Sequence, residues 1–233
     1  WSSYYRKLVL RMNYILNIES STTNCSISLT LDGNLVALKE SNDDKYSHST
    51  KLHSFINEVL KKSNISVKEL VAIAVSKGPG SYTGLRIGVA AAKGLCYSLD
   101  IPLISISTLH ILSKQIQVRE QGLILPVMDA RRDEVYCAVY DSSYNLIKKA
   151  VPKIINQESF SELSYKSKLY FIGNGQEKCK RLIENNTNLI FSNNNTFPSA
   201  REMTQLSYQK FKDLNFNDIA YFEPDYLKDF MPG

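Results

Sequence analysis

The residues best suited to chemistry lie in a glycine-rich segment, residues 76–88. It follows an apolar run, 70–75, that predicts a buried strand, and it leads into a periodic run that predicts a helix. Glycines let a phosphate approach the backbone, and the first N–H groups of a helix favour an anion. Thr83 is the predicted N-cap of that helix. The candidate nucleotide or docking loop comprises Gly78, Gly80, Ser81, Thr83 and Gly84.

A second interpretation of the same segment is a tight strand-to-helix connection that serves packing alone, and the residues leave both open. The segment is not a Walker A motif, because no Gly-Lys-Ser/Thr follows at the required distance. The spacing G-x-G-x-x-x-G is one residue too long for a dinucleotide fingerprint.

Two acids follow predicted strands. Glu19, with Ser20 next to it, ends the run 14–18, and Asp129 ends the run 123–128. Acids at the tips of two such hairpins can bind the phosphates of ATP and its metal ion. An acid at a strand end can equally be a turn residue or a cap.

The histidines and cysteines are not spaced like the ligands of a metal site. His48, His53 and His110 form no H-x-x-x-H or H-E-x-x-H pair. The four cysteines contain no C-x-x-C pair, which indicates reduced thiols in a cytosolic protein.

Composition describes an ordinary globular chain of 233 residues with a net charge of +5. Short basic clusters at 61–62, 148–149 and 178–181 are predicted to be solvated faces. No apolar run is long enough for a membrane span. Residues 1–11 precede Met12, and we expect them to be a leader or upstream extension.

The order of predicted elements occurs twice. The first half predicts strands at 14–18, 25–31, 35–39, 70–75 and 103–106, and helices at 49–62, 85–99 and 108–117. The second predicts strands at 123–128, 135–140, 146–155, 169–172 and 189–191, and helices at 157–163, 176–184 and 200–214. Each half begins βββαβα, and Glu19 and Asp129 end equivalent strands.

This repetition predicts an α/β protein with the duplicated ribonuclease-H-like fold of actin, Hsp70 and sugar kinases, in which two βββαβα lobes face a cleft. We expect an N-terminal lobe at 12–110, completed by the helix near 200–215, and a C-terminal lobe at 111–199.

Four motifs carry a resemblance to the TsaB (YeaZ) family. They are NIESST at 17–22, GPGSYTGLRIG at 78–88, AKGL at 92–95 and PVMDAR at 126–131. The likeness runs from 13 to 140 and resumes at 173–175, 198–200 and 224–228. It implies a cytoplasmic bacterial protein needed to make threonylcarbamoyladenosine in tRNAs that read codons starting with A.

The resemblance further implies a non-catalytic subunit whose partners are TsaD, the ATPase TsaE and, through the complex, tRNA. TsaD has the same fold and binds its metal through an H-x-x-x-H pair. Here those two positions hold Thr108 and Leu112, which do not replace imidazoles as ligands, so we expect no metal centre. No firmly bound cofactor is implied, although ATP or ADP can lie at the interface of the complex.

In the family, the helices after strand three and after the glycine loop form the pairing surface, which also makes a homodimer in the absence of TsaD. Alternatively, both helices simply cover the sheet. The implied interface residues are His48, Lys51, Leu52, Phe55, Arg86, Gly88, Ala91, Ala92 and Leu95.

Two enzymes remain as rivals. A small ATP-dependent kinase would use Glu19 or Asp129 with magnesium, although the turn after Glu19 lacks the glycine that ATP-binding relatives place there. A glycopeptidase would need a nucleophile with a histidine partner, and no motif supplies one.

Overall fold

The structure is a computed structural model that describes residues 12–43, 48–118, 121–184, 186–192 and 196–228. The predicted leader at 1–11 lies outside the described residues. The chain divides into two compact units. The first contains the described residues up to Lys77, with Ser81–Ile106 and Ser199–Pro224. The second contains Gly78–Gly80, the described residues of Ser107–Pro198 and those from Asp225 onward.

The elements follow the predicted order. The strands are β1 (Tyr14–Glu19), β2 (Asn24–Leu31), β3 (Asn34–Asn42), β4 (Leu70–Ser76), β5 (Leu103–Ile106), β6 (Gly122–Asp129), β7 (Glu134–Asp141), β8 (Leu146–Ile154), β9 (Lys168–Ile172) and β10 (Leu189–Phe191). The helices are α1 (His48–Ser63), α2 (Tyr82–Leu99), α3 (Thr108–Ser113), α4 (Ser161–Ser164), α5 (Gln176–Leu182) and α6 (Met203–Lys212).

Each unit contains one mixed five-stranded sheet, and the two sheets have the same topology. The first has the order β3-β2-β1-β4-β5 and the second the order β8-β7-β6-β9-β10. In both, the first three strands pair antiparallel and the last two join in parallel. The duplicated ribonuclease-H-like fold predicted from the sequence is therefore confirmed.

The first core forms on the apolar face of the central strand β1, which α1 covers. Leu16 and Ile18 of β1 and Leu52 and Val59 of α1 are buried in one cluster. A hairpin turn at Asp32 and Gly33, whose φ angles are 49° and 85°, joins β2 to β3.

The second sheet is covered by apolar clusters on both faces. Leu109 and Leu112 of α3 pack with Ile124 of β6, and Val127 of β6 lies in a separate cluster with Phe171. Because α3 packs on this sheet, the boundary between the units falls after Ile106, ahead of the 110 suggested by the sequence.

The bounds of the helices differ from the prediction: α2 begins at Tyr82 rather than at 85, and α5 ends at Leu182 rather than at 184. The predicted helix 108–117 ends at Ser113, and the helix predicted at 157–163 is the single turn Ser161–Ser164. The helix predicted from 200 begins at Met203, because the backbone of Ala200 instead bonds the Ser26 and Ser28 hydroxyls of β2 at 2.9 and 2.7 Å. These bonds hold α6 in the first unit.

Candidate functional site

Glu19 is fully buried at the end of β1. Its Oε1 accepts hydrogen bonds from the backbone N–H of Ser21 at 2.7 Å and from the Ser21 hydroxyl at 2.5 Å. Oε2 is buried without a hydrogen-bond partner among the described residues. Burial raises the pKa of Glu19 to about 7, against the lowering effect of Ser21 and, more weakly, of Ser76 and Ser20. The carboxyl is therefore an internal group, half-protonated near neutral pH.

The glycine loop enters α2 through Ser81, so the prediction that Thr83 caps the helix is wrong. The Ser81 hydroxyl accepts a bond from the Gly84 N–H at 3.3 Å, and Thr83 is exposed in the first turn. The N–H of Ser81 donates to the Ser21 carbonyl at 2.7 Å. The chain itself thus occupies N–H groups that an anion would otherwise use.

Ser20 joins β1 to the same helix. Its hydroxyl donates to the Gly84 carbonyl at 2.9 Å, and a Cβ on Gly88 would overlap that hydroxyl. Ser20, Gly84 and Gly88 are all buried. Of the loop glycines, Gly78 alone has a positive φ, 107°, whereas Gly80 and Gly84 have ordinary backbone angles.

Asp129, the second acid, is half-exposed and bound by its own unit. Lys178 of α5 donates to its Oδ1 at 2.9 Å, and the Arg131 N–H donates to the same atom at 2.7 Å. The Asn174 side chain accepts a bond from the Asp129 N–H at 3.1 Å. Lys178 is only 9% exposed, because its ammonium also bonds the Glu134 carbonyl at 2.9 Å. The prediction that 178–181 is a wholly solvated face is therefore wrong for Lys178.

The interface residues suggested by the resemblance divide into covered and accessible groups. Leu52, Phe55, Gly88 and Ala92 are buried inside the first unit. On α2, Gly88 and Ala92 face the sheet, whereas Ala91 and Leu95 are only partly buried. Four residues keep accessible surface, while the His48 side chain lies outside the described atoms. The accessible four are Lys51, Arg86, Ala91 and Leu95.

Two of the accessible residues make contacts that position them. Lys51 pairs with Asp43 and bonds the Ser41 hydroxyl at 3.3 Å. The Arg86 guanidinium lies over the Tyr82 ring at 4.3 Å. Both positively charged side chains are thus oriented on the outer surfaces of α1 and α2.

The two positions that the resemblance equates with metal ligands of TsaD are interior. Thr108 and Leu112 are fully buried on α3, and His110 stacks on the Tyr140 ring with centroids 5.1 Å apart. The described residues contain no cluster of three His, Cys, Asp or Glu side chains suited to a metal. All four cysteines are buried and unpaired, and burial raises the pKa of Cys96 and Cys179 to about 12.

Sequence reasoning missed the residues that bind the two acids. Ser21 and Ser76 looked like turn and strand residues, and Lys178 lay in a basic run. Only the hydroxyls immediately following Glu19 could have indicated that its carboxyl is capped locally.

A family model described as TsaD: tRNA N6-adenosine threonylcarbamoyltransferase matches residues 43–229. Relatives described as tRNA threonylcarbamoyladenosine biosynthesis protein TsaB include one from Bacillus subtilis, 31% identical over 92% of this chain and 93% of its own. The relative from Escherichia coli is 30% identical over 92% of this chain and 94% of its own. The relative from Buchnera aphidicola is 32% identical over 82% of this chain and 87% of its own. The chain belongs to the TsaB family.

Solved structures agree with the fold. A Pseudomonas aeruginosa protein described as similar to peptidase YeaZ superposes with a TM-score of 0.82, over 93% of this chain and 100% of that one, at 21% identity. A structure of YeaZ from the same organism gives 0.77, with the same identity and coverage. Among the described residues, no helix has the length and apolar character required to cross a bilayer.

Proposed function

We propose that this chain is a non-catalytic, cytoplasmic subunit that pairs with a TsaD-type enzyme to form threonylcarbamoyladenosine in tRNAs reading codons that start with A. The observation that carries the proposal is the state of its two acids. Glu19 is buried against Ser21, and Asp129 is ion-paired with Lys178. The TsaB names of its relatives support the pathway, and the TsaD model match supports kinship with the enzyme.

The acids argue against phosphoryl chemistry in this chain. Magnesium in nucleotide sites is bound by ionised carboxylate oxygens that keep several waters in its shell. Glu19 is enclosed by the buried turn residues Ser20 and Ser21, and the ammonium of Lys178 already neutralises Asp129. A metal ion would have to displace these partners in both units. We infer that ATP or ADP, if it binds, does so at the interface with the enzyme.

The pairing surface is inferred to be the outer side of α1 and α2. Lys51, Arg86, Ala91 and Leu95 supply two oriented cations and two apolar side chains that remain accessible. Ala91 and Leu95 are one helical turn apart, so a partner helix can contact both. The same surface would form a homodimer when the enzyme is absent.

The test is co-expression with TsaD of the same organism, followed by size-exclusion chromatography with light scattering. We expect a complex with TsaD, and threonylcarbamoylation of tRNA by TsaD and TsaE only when this chain is added. Arg86→Glu should weaken pairing at least about tenfold, since it reverses a charge at the interface. Lys149→Glu on β8, an equal charge change on the second unit, is the matched control and should pair normally.

Kinase activity of this chain would contradict the proposed function. Calorimetric titration of the isolated chain with millimolar Mg-ATP should give no saturable heat. Saturable binding that Glu19→Gln and Asp129→Asn both abolish, with turnover of an acceptor, would establish catalysis in this chain.

A further inference from the structure

The hairpin between β6 and β7 ends in two arginines with unusual backbone angles. Arg131 and Arg132 have φ of 66° and 47°, and both side chains are exposed. The hairpin closes through bonds from the Ala130 N–H to the Glu134 carbonyl at 3.0 Å and from the Glu134 N–H to the Arg131 carbonyl at 3.2 Å. Two consecutive left-handed residues therefore form its tip.

Stability alone does not account for arginine at these positions. Left-handed backbone is unfavourable for a residue with a Cβ, and glycine or asparagine relieves it. The β2–β3 turn of the other unit follows that rule by placing Gly33 at a φ of 85°. Positive φ also occurs at Asp100, where a helix ends, so the angles acquire significance here only together with the two adjacent exposed charges.

The three acids that flank the tip in sequence are each paired with a cation other than the two arginines. Asp129 pairs with Lys178 at 2.9 Å, Asp133 with Arg181 at 3.5 Å and Glu134 with Lys228. Among the described residues, neither Arg131 nor Arg132 has an ion-pair partner. Within the described part of the chain, the tip therefore presents two guanidinium groups without an ion-pair partner, and Arg181, which pairs with Asp133 of the same hairpin, is itself 68% exposed.

We propose that Arg131 and Arg132 bind phosphates of an RNA backbone, so that this chain touches the tRNA itself. Guanidinium groups match phosphate oxygens in a two-pronged geometry, and such contacts position a nucleic acid without reading its sequence. The exposed tip encloses no base, which favours backbone over nucleobase recognition. The choice of tRNA as the RNA rests on the proposed function.

The test uses the full chain and a fluorescently labelled tRNA transcript that reads codons starting with A. The double variant Arg131→Asn with Arg132→Gly removes both charges and relieves the backbone. Affinity should fall roughly tenfold or more near physiological salt, and the slope of log K against log salt should decrease by about 1.5. The melting temperature should stay the same or rise, which loss of a structural contact would not produce.

The matched control removes two exposed charges elsewhere in the same unit, Lys148→Gln with Lys149→Gln on β8. It should change the affinity less than about threefold. Equal losses for the two double variants would reduce the effect to net charge and overturn the proposal. So would an unchanged affinity of the arginine variant, or no RNA binding by either the chain or its complex with TsaD.

Two further measurements separate the alternatives. Displacement of the RNA by millimolar inorganic phosphate or ATP at constant ionic strength would make the tip a site for a single phosphate group, which overturns the RNA assignment. Pairing with TsaD is followed independently by size exclusion. Failure of the wild-type chain to pair, with RNA binding intact, would overturn the proposed function and leave the assignment of the tip standing.

Discussion

The hydroxyl of Ser20 occupies the space that a side chain at position 88 would need. Ser20 follows β1, and Gly88 lies in the second turn of α2, so this contact fixes how closely the helix approaches the end of the strand. The hydroxyl also donates to the Gly84 carbonyl at 2.9 Å. It therefore cannot rotate away from Gly88 without losing a buried hydrogen bond.

Gly88→Ala should therefore destabilise the protein even though alanine favours helices. The buried hydrogen bond of Ser20 is lost, and the gain in helix propensity offsets only part of it, so we expect the free energy of unfolding to fall by about 1 kcal/mol. In a Ser20→Ala background the same substitution should cost less, as a double-mutant cycle measured by urea denaturation will report. Gly94→Ala is the control: a Cβ there meets nothing within 4 Å, and stability should rise by about 1 kcal/mol.

Glu19 should make the stability depend on pH. Its pKa is about 7 in the folded chain, against an ordinary value of 4.5 for a glutamate carboxyl, so the folded state binds more protons between these values. Its contribution is fully present below pH 4.5 and is lost as the pH rises through about 7, a change on the order of 3 kcal/mol. Glu19→Gln keeps Oε1 as an acceptor but does not titrate. Urea denaturation from pH 5 to 8 should show the difference between the two proteins, and parallel curves would refute the assignment.

Gly78, rather than Gly80, should be sensitive to a side chain. Gly78 has a φ of 107°, a region that alanine enters only with strain, whereas Gly80 has no positive φ. Gly78→Ala should lower the free energy of unfolding by about 1–2 kcal/mol. Gly80→Ala should lower the free energy of unfolding clearly less, and thermal melts of the two variants measure the difference. Equal losses would mean that close packing, and not backbone angle, determines the requirement for glycine in this loop.

Lys178 should matter more to stability than Arg181, although both pair with acids of the same hairpin. Lys178 is 9% exposed and binds both Asp129 and the Glu134 carbonyl, so Lys178→Met should destabilise the protein by about 1–3 kcal/mol. The Arg181–Asp133 pair spans 3.5 Å between side chains more than 60% exposed. Arg181→Met should therefore change the stability by less than about 0.5 kcal/mol. A larger effect of Arg181 in chemical denaturation would contradict this ranking.

The strands and helices could be predicted because the spacing of apolar residues in the sequence matches the side of each element that is buried in the structure. The runs 70–75 and 103–106 are central or parallel strands, and Asp32-Gly33 is a turn whose chemistry is local. The starts and ends of helices depend instead on single hydrogen bonds. Ser81 and Thr83 both offer a hydroxyl before α2, and only the position of the Gly84 N–H decides between them.

The chemistry of the two acids could not be predicted for a similar reason. Glu19 and Asp129 end equivalent strands, yet one is buried against serine hydroxyls and the other is exposed beside a lysine. Part of that difference arises from residues far away in the sequence: Lys178 reaches Asp129 from a helix after β9, and Ser76 approaches Glu19 from β4. Strand periodicity contains no information about such long-range partners.

The segment Ser199–Pro224 returns to the first unit after the strands of both sheets have been completed. Ser28 bonds the Ala200 carbonyl, and Lys93 bonds the carbonyls of Ala220 and Phe222 at 3.2 and 3.1 Å. On the ribosome, β1–β5 therefore leave the exit tunnel long before the helix that covers them exists. The first unit therefore remains incomplete during synthesis, with part of its sheet uncovered, whereas the sheet of the second unit can already form. Chaperone dependence during translation should consequently fall on the half of the protein that is made first.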